Sequence, residues 1–121
     1  MATPNLVNVS SVTPFTIAGA VTTSAVDVID VPADKAYKIN TIIIANVDGT
    51  NAANISASIS VDNGSSYFGI ASTVSVPADA TLVLTDKNSQ IYLDETDLLR
   101  LTASANSDLE YVISGEILDD A

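Results

Sequence analysis

Apolar positions in this chain fall into short runs with a period of two, broken by Pro, Gly, Asn and Asp at intervals of about ten residues. The densest run is Tyr37-Lys-Ile-Asn-Thr-Ile-Ile-Ile-Ala-Asn46, with three consecutive isoleucines, Ile42, Ile43 and Ile44. β-Branched side chains are stiff at χ1 and suit a pleated strand better than a helix. Alternation from its start places Tyr37, Ile39, Thr41 and Ile43 on one face and Lys38 and Asn40 on the other. Ile42 and Ile44 then make the second face apolar as well, as in a strand covered on both sides. No stretch keeps a helical period over three turns, so no helix is expected to supply that cover. The other sheet, the N-terminal segment or another subunit must do so. The reading adopted is an assembly surface.

The remaining runs are of the same kind. Ser24 to Val31 reads as a strand followed by a turn at Pro32-Ala33-Asp34-Lys35. Ile55 to Val61 alternates cleanly, and Asp62-Asn63-Gly64 has the residues of a tight hairpin before Ser66 to Ala71. Val76-Pro77-Ala78-Asp79 repeats Val31-Pro32-Ala33-Asp34 and predicts the same corner twice. Thr81 to Leu84, Ile91 to Leu93 and Leu98 to Ala103 are further strands. Leu109 to Leu118 closes the chain with Leu109, Tyr111, Ile113 and Ile117 on one face. Many short strands with regular turns predict an all-β fold: a single-domain antiparallel β-sandwich, jelly-roll-like. Residues 1–23, rich in Ser, Thr and Asn, are expected as an N-terminal arm, and residues 24–121 as the sandwich. The arm carries two apolar patches, Leu6-Val7/Val9 and Phe15/Ile17, each able to add a strand to its own domain or to a neighbour.

Composition removes most chemistry. Among 121 residues there is no Cys and no His, so thiolate nucleophiles, disulfides and the usual base near neutral pH are missing. Fifteen acids against four bases (Lys35, Lys38, Lys87, Arg100) give a net charge of −11. Four scattered cations cannot neutralise a phosphate backbone, so neither nucleic acid nor an anionic membrane is an expected partner. No apolar run is long enough to span a bilayer and no leader pattern follows Met1, so synthesis in the cytoplasm is expected. The acidic turn Asp94-Glu95-Thr96-Asp97 has the oxygens of a cation site without any EF-hand spacing, its Glu being expected to face solvent. Tyr67-Phe68 is the natural aromatic platform for a sugar or base, with core filling the reading preferred. No residue is assigned a catalytic, cofactor-binding or metal-binding role, and no cofactor is expected. The chain does not read as an enzyme.

Three stretches, in order, resemble small structural proteins of tailed bacteriophages. They are Tyr37 to Asn46, ending in Ala-Asn; the bend Val76-Pro-Ala-Asp-Ala-Thr-Leu-Val-Leu84; and Ile91-Tyr-Leu-Asp-Glu-Thr-Asp-Leu-Leu-Arg-Leu-Thr-Ala-Ser104. The resemblance covers residues 36–118 and implies no catalytic residue. It implies a virion location and a non-enzymatic role, foremost as a capsid decoration (cement) protein. Such a protein would bind and stabilise neighbouring major capsid subunits and self-associate as a homotrimer. A neck, tail or fibre-attachment protein is the alternative, and a carbohydrate-binding sandwich a further one. The expected partner-interface residues are Leu6, Val7, Val9, Phe15, Ile17, Ile42 and Ile44.

Overall fold

The computed structural model describes residues 9–119. Nine strands follow one another: β1 Ser11–Val21, β2 Val26–Asp30, β3 Lys35–Asn46, β4 Ala53–Ser60, β5 Phe68–Val76, β6 Thr81–Thr85, β7 Ile91–Leu93, β8 Leu98–Ala103 and β9 Leu109–Asp119. One sheet has the order β1-β9-β3-β6, with β7 pairing beside β3, and the other β2-β8-β4-β5. Every pairing is antiparallel. Because most connections cross from one sheet to the other, the sandwich is a jelly roll, as the strand pattern predicts.

Between the sheets lies an aliphatic core. Ile39, Ile42 and Ile44 of β3 meet Ile55, Leu99 and Leu101 across it, with Leu109 and Ile113 beside them, none more than 1% exposed. Burying a side chain of this size contributes about 1.5–3 kcal/mol. Leu109, Tyr111, Ile113 and Ile117 share the inward face of β9, and the last two sit opposite Ile42 and Tyr37.

The isoleucine strand departs from simple alternation. Its pairing with β9 runs Ile39 to Gly115, then Thr41 to Ser114, so Asn40 is an extra residue, a β-bulge. A bulge shifts the side-chain parity by one. Ile39 points inward before it, and Ile42, Ile44 and Asn46 point inward after it. Ile43 points outward. Thus Ile42 and Ile44, expected at an assembly surface, are fully buried in their own core. Gly115 makes the bulge possible: a Cβ there would lie 1.9 Å from the Lys38 carbonyl oxygen.

The segment expected as an arm is, over its described part, a sheet strand. β1 pairs with β9 along its whole length, from Ser11 opposite Asp119 to Val21 opposite Leu109. Phe15 packs on Tyr37 with ring centroids 5.2 Å apart, and Phe15 and Ile17 both lie against the core. Leu6 and Val7 fall outside the described residues. Between β4 and β5 the chain makes a longer loop than a two-residue hairpin, with Asn63 and Gly64 at positive φ. Asp62 organises it by accepting from the Ser60 and Ser66 hydroxyls and the Ser66 N–H.

Both Val-Pro-Ala-Asp corners carry the chain from the four-stranded sheet to the other. Val31 and Val76 anchor them in the core, and Asp34 and Asp79 take φ of 65° and 60°. In each, the Asp N–H is held by a neighbouring loop: Asp34 donates to Glu95 Oε2 at 2.7 Å, and Asp79 to the Asp48 carbonyl at 3.2 Å.

Candidate functional site

The acidic turn before β8 is structural. Glu95 and Asp97, 4% and 5% exposed, point into the protein, contrary to the solvent-facing Glu expected. Glu95 accepts from the Asp34 N–H, and Asp97 Oδ2 accepts from the Asp94 N–H at 2.9 Å. The Thr96 N–H donates to the Val31 carbonyl, so the turn clasps the first Val-Pro-Ala-Asp corner. Burial pushes the Asp97 carboxyl above its ordinary range. Carboxylates facing backbone donors in this way are not arranged around a cation, and among the described residues no group of three or more His, Asp or Glu converges on one.

The aromatic pair is divided. Tyr67 lies on the outer face of the four-stranded sheet, where Arg100 sits over its ring, 3.7 Å from the centroid. Arg100 Nη2 donates to the Tyr67 hydroxyl at 2.8 Å, and that hydroxyl donates to Asp27 Oδ1 at 3.0 Å. Arg100 Nε also reaches Asp27 at 3.0 Å. Loss of solvent and the Asp27 carboxylate hold the phenol proton more tightly than usual, and the bond to Asp27 does the same for the guanidinium. With its ring face and hydroxyl both engaged, Tyr67 offers no open stacking platform. Phe68, by contrast, is 62% exposed at the start of edge strand β5. Neither ring belongs to the core, so the core-filling reading of the pair does not hold.

The two outer sheet faces differ sharply in chemistry. On the four-stranded sheet, β4 shows Ser56 and Ser58 and β2 shows Asp27 and Asp30. On the other sheet one level joins Ala18, Val112, Ile43 and Val83 as successive cross-strand partners, an apolar row across all four main strands. Val112 is 40% and Val83 52% exposed. The level beyond carries Ala20, Glu110, Ala45 and Thr81. Nearer the strand ends Lys38 pairs with Glu116 at 3.6 Å. Beside the row, between β1 and β9, Ala18, Gly19 and Ala20 leave a depression of about 320 Å³ walled by Tyr111, Val112 and Glu110.

Of the expected interface residues, Ile42 and Ile44 lie in the core, Phe15 and Ile17 are partly buried against it, and Val9 is half-buried just before β1. The sequence reading missed Ile43, Val83 and Val112. A signal existed in the runs Ile42-Ile43-Ile44 and Leu82-Val83-Leu84, where consecutive aliphatics must place one outward. It also missed Phe68 as an exposed side chain.

No protein-family model matches the chain. No curated protein sequence matches it either. Solved structures of similar fold include a chain of the acid-stable capsid of Helicobacter pylori bacteriophage KHP30. It is 7% identical at a TM-score of 0.52, and the match covers 93% of this chain and 91% of that one. The Drosophila NLP core, described for pentamer formation and histone binding, is 12% identical at 0.48, with coverage of 84% and 96%. A pentameric capsid protein from metagenomic phage sequences is 14% identical at 0.40, with coverage of 86% and 60%. At these identities the likeness is one of fold.

Proposed function

We propose that this chain is a non-enzymatic virion structural protein, and within that class a capsid decoration protein that staples neighbouring major capsid subunits. The observation that carries this is the outer face of the β1-β9-β3-β6 sheet: a chain of charge −11 leaves an apolar row open to water across a whole sheet. A contiguous apolar row across a sheet face, flanked by polar positions, is a surface that suits contact. The jelly roll it shares with a chain of the KHP30 capsid, over almost the full length of both, supports the same reading at the level of fold. Glu95, Asp97 and Asp62 are tied to backbone and hydroxyl donors, which suits a protein that works by shape. Self-association, with a homotrimer as the expected form, places several copies of each contact on the particle.

A neck or tail position is the second reading within the class, and abundance separates the two. Quantitative mass spectrometry of purified particles should find this chain in numbers comparable to the major capsid protein. A handful of copies per particle sinks the decoration reading and leaves the neck or tail. Leu6 and Val7 are proposed as capsid contacts. Deleting residues 1–8 tests them, whereas a longer deletion would strip β1 from the sheet and damage the fold along with the contact. Unchanged occupancy of the shortened chain removes the arm from the proposal.

A further inference from the structure

We propose that copies of this chain join head to tail, Phe68 of one copy entering the depression between β1 and β9 of the next. This rests on the self-association proposed above and names the surfaces that carry it.

Among the described residues Phe68, 62% exposed, and Tyr92, 55% exposed, are the aromatic side chains left mostly in water, and Phe68 stands at the edge of the four-stranded sheet with Val74, 37% exposed, on the same strand. An exposed aromatic on a rigid strand has the form of an interface anchor. The depression lies on the opposite flank, at the far edge of the other sheet, because β1 and β5 end their respective sheets on opposite sides of the sandwich. Its floor is formed by small residues, Ala18 to Ala20, and Val112 and Glu110 line it on the β9 side. About 320 Å³ accommodates a phenyl ring, with Val112 as its apolar side.

Charge selects a second copy as the occupant. From the Val12 level of β1 to the Ala20 level, the outward positions of this sheet carry Glu110, Glu116 and Lys38. Two carboxylates and one ammonium leave −1 of the chain's −11. A basic partner is drawn to the acidic remainder of the surface. This face fits a surface that brings neither sign, and the Phe68 flank is one. Size agrees as well. Four strands at about 4.8 Å spacing and eleven residues at about 3.3 Å rise make a face of about 700 Å². Each partner in a standard interface contributes about 800 Å². Pro14 on β1 removes a donor from the free edge, which disfavours edge-to-edge pairing and leaves side-chain docking. A knob and a socket on opposite flanks are different surfaces, so the contact is heterologous and links copies in series, into a ring where the rotation between them closes.

The test uses the isolated full chain and two variants with one damaged surface each, Phe68→Asp and Val112→Lys. Both sites are exposed, so circular dichroism and melting temperature should match the wild type. By light scattering coupled to size exclusion, the wild type should be an oligomer and each variant a monomer. Mixed in equal amounts, the two variants retain one intact knob and one intact socket between them and should form a heterodimer of twice the monomer mass. A wild type that is monomeric at all concentrations overturns the self-association itself, while particle occupancy still tests the virion role. An oligomeric wild type whose variants stay assembled, or whose mixed variants stay monomeric, overturns this contact alone.

Discussion

At the scale of single residues, polar side chains inside the sandwich decide more than their number suggests. Asn46, 3% exposed at the end of β3, makes three bonds. Its Nδ2 donates to the carbonyls of Asn51 at 3.0 Å and Val76 at 2.9 Å, and its Oδ1 accepts from the Asp48 N–H at 2.9 Å. One side chain thus ties β3, the loop after it and the second Val-Pro-Ala-Asp corner together. Asn46→Ala strands all three backbone groups, and a loss of about 3 kcal/mol is expected from chemical denaturation. A loss within experimental error would mean that solvent reaches those groups freely. Thr85 is the opposite case. Its Oγ1 is buried opposite Ile42 and has no protein partner among the described residues. Thr85→Val keeps the shape and removes the buried hydroxyl, so stability should rise by about 1 kcal/mol. A fall would show the hydroxyl to be satisfied in solution.

At the scale of elements, period and turn chemistry made most strands legible, because both are local. Leu109, Tyr111, Ile113 and Ile117 sit on one face of β9 as alternation requires, and the two Val-Pro-Ala-Asp corners turn alike, each with an Asp at positive φ. The parity of β3 was not legible. It depends on the close approach of the Lys38 carbonyl to Gly115, a residue on another strand far along the chain. That one inserted residue, Asn40, exchanges Ile42 and Ile44 for Ile43 at the surface, so the second apolar face is real but carried by a different side chain. Phe68 was misread for a related reason: edge position, not hydrophobicity, sets its exposure. The bulge gives a direct prediction. Gly115→Ala places a Cβ 1.9 Å from backbone oxygen and 3.1 Å from the Phe15 ring. The backbone cannot yield without losing the bulge, so a loss of at least about 3 kcal/mol, or failure to fold, is expected. Gly69, whose added Cβ meets nothing within 4 Å, is the control, and Gly69→Ala should fold normally.

At the scale of the whole molecule, charge governs how the fold responds to acid. Two sets of carboxyls pull in opposite directions. Loss of solvent, and then the neighbouring Asp48 charge, raise the Asp108 pKa above 3.8, and burial raises that of Asp97. The folded state holds their protons more tightly than the unfolded chain does, so both lower stability at neutral pH. That cost is relieved as pH falls through their folded pKa values. Asp48 and Asp62 are lowered below 3.8, chiefly by the Thr50 N–H and the Ser66 hydroxyl respectively. Their contribution is present above 3.8 and lost as pH falls through their folded values. Self-repulsion at −11 weakens over the same descent, adding to the first effect. The melting temperature should therefore rise from neutrality towards 3.8 and fall below it. Asp108→Asn should raise it at neutral pH and flatten the rise. Asp62→Asn should lower it at neutral pH and flatten the acid fall. Melting curves at constant ionic strength read both limbs, and a melting temperature that declines steadily from neutrality would show that the paired carboxylates outweigh the buried ones throughout.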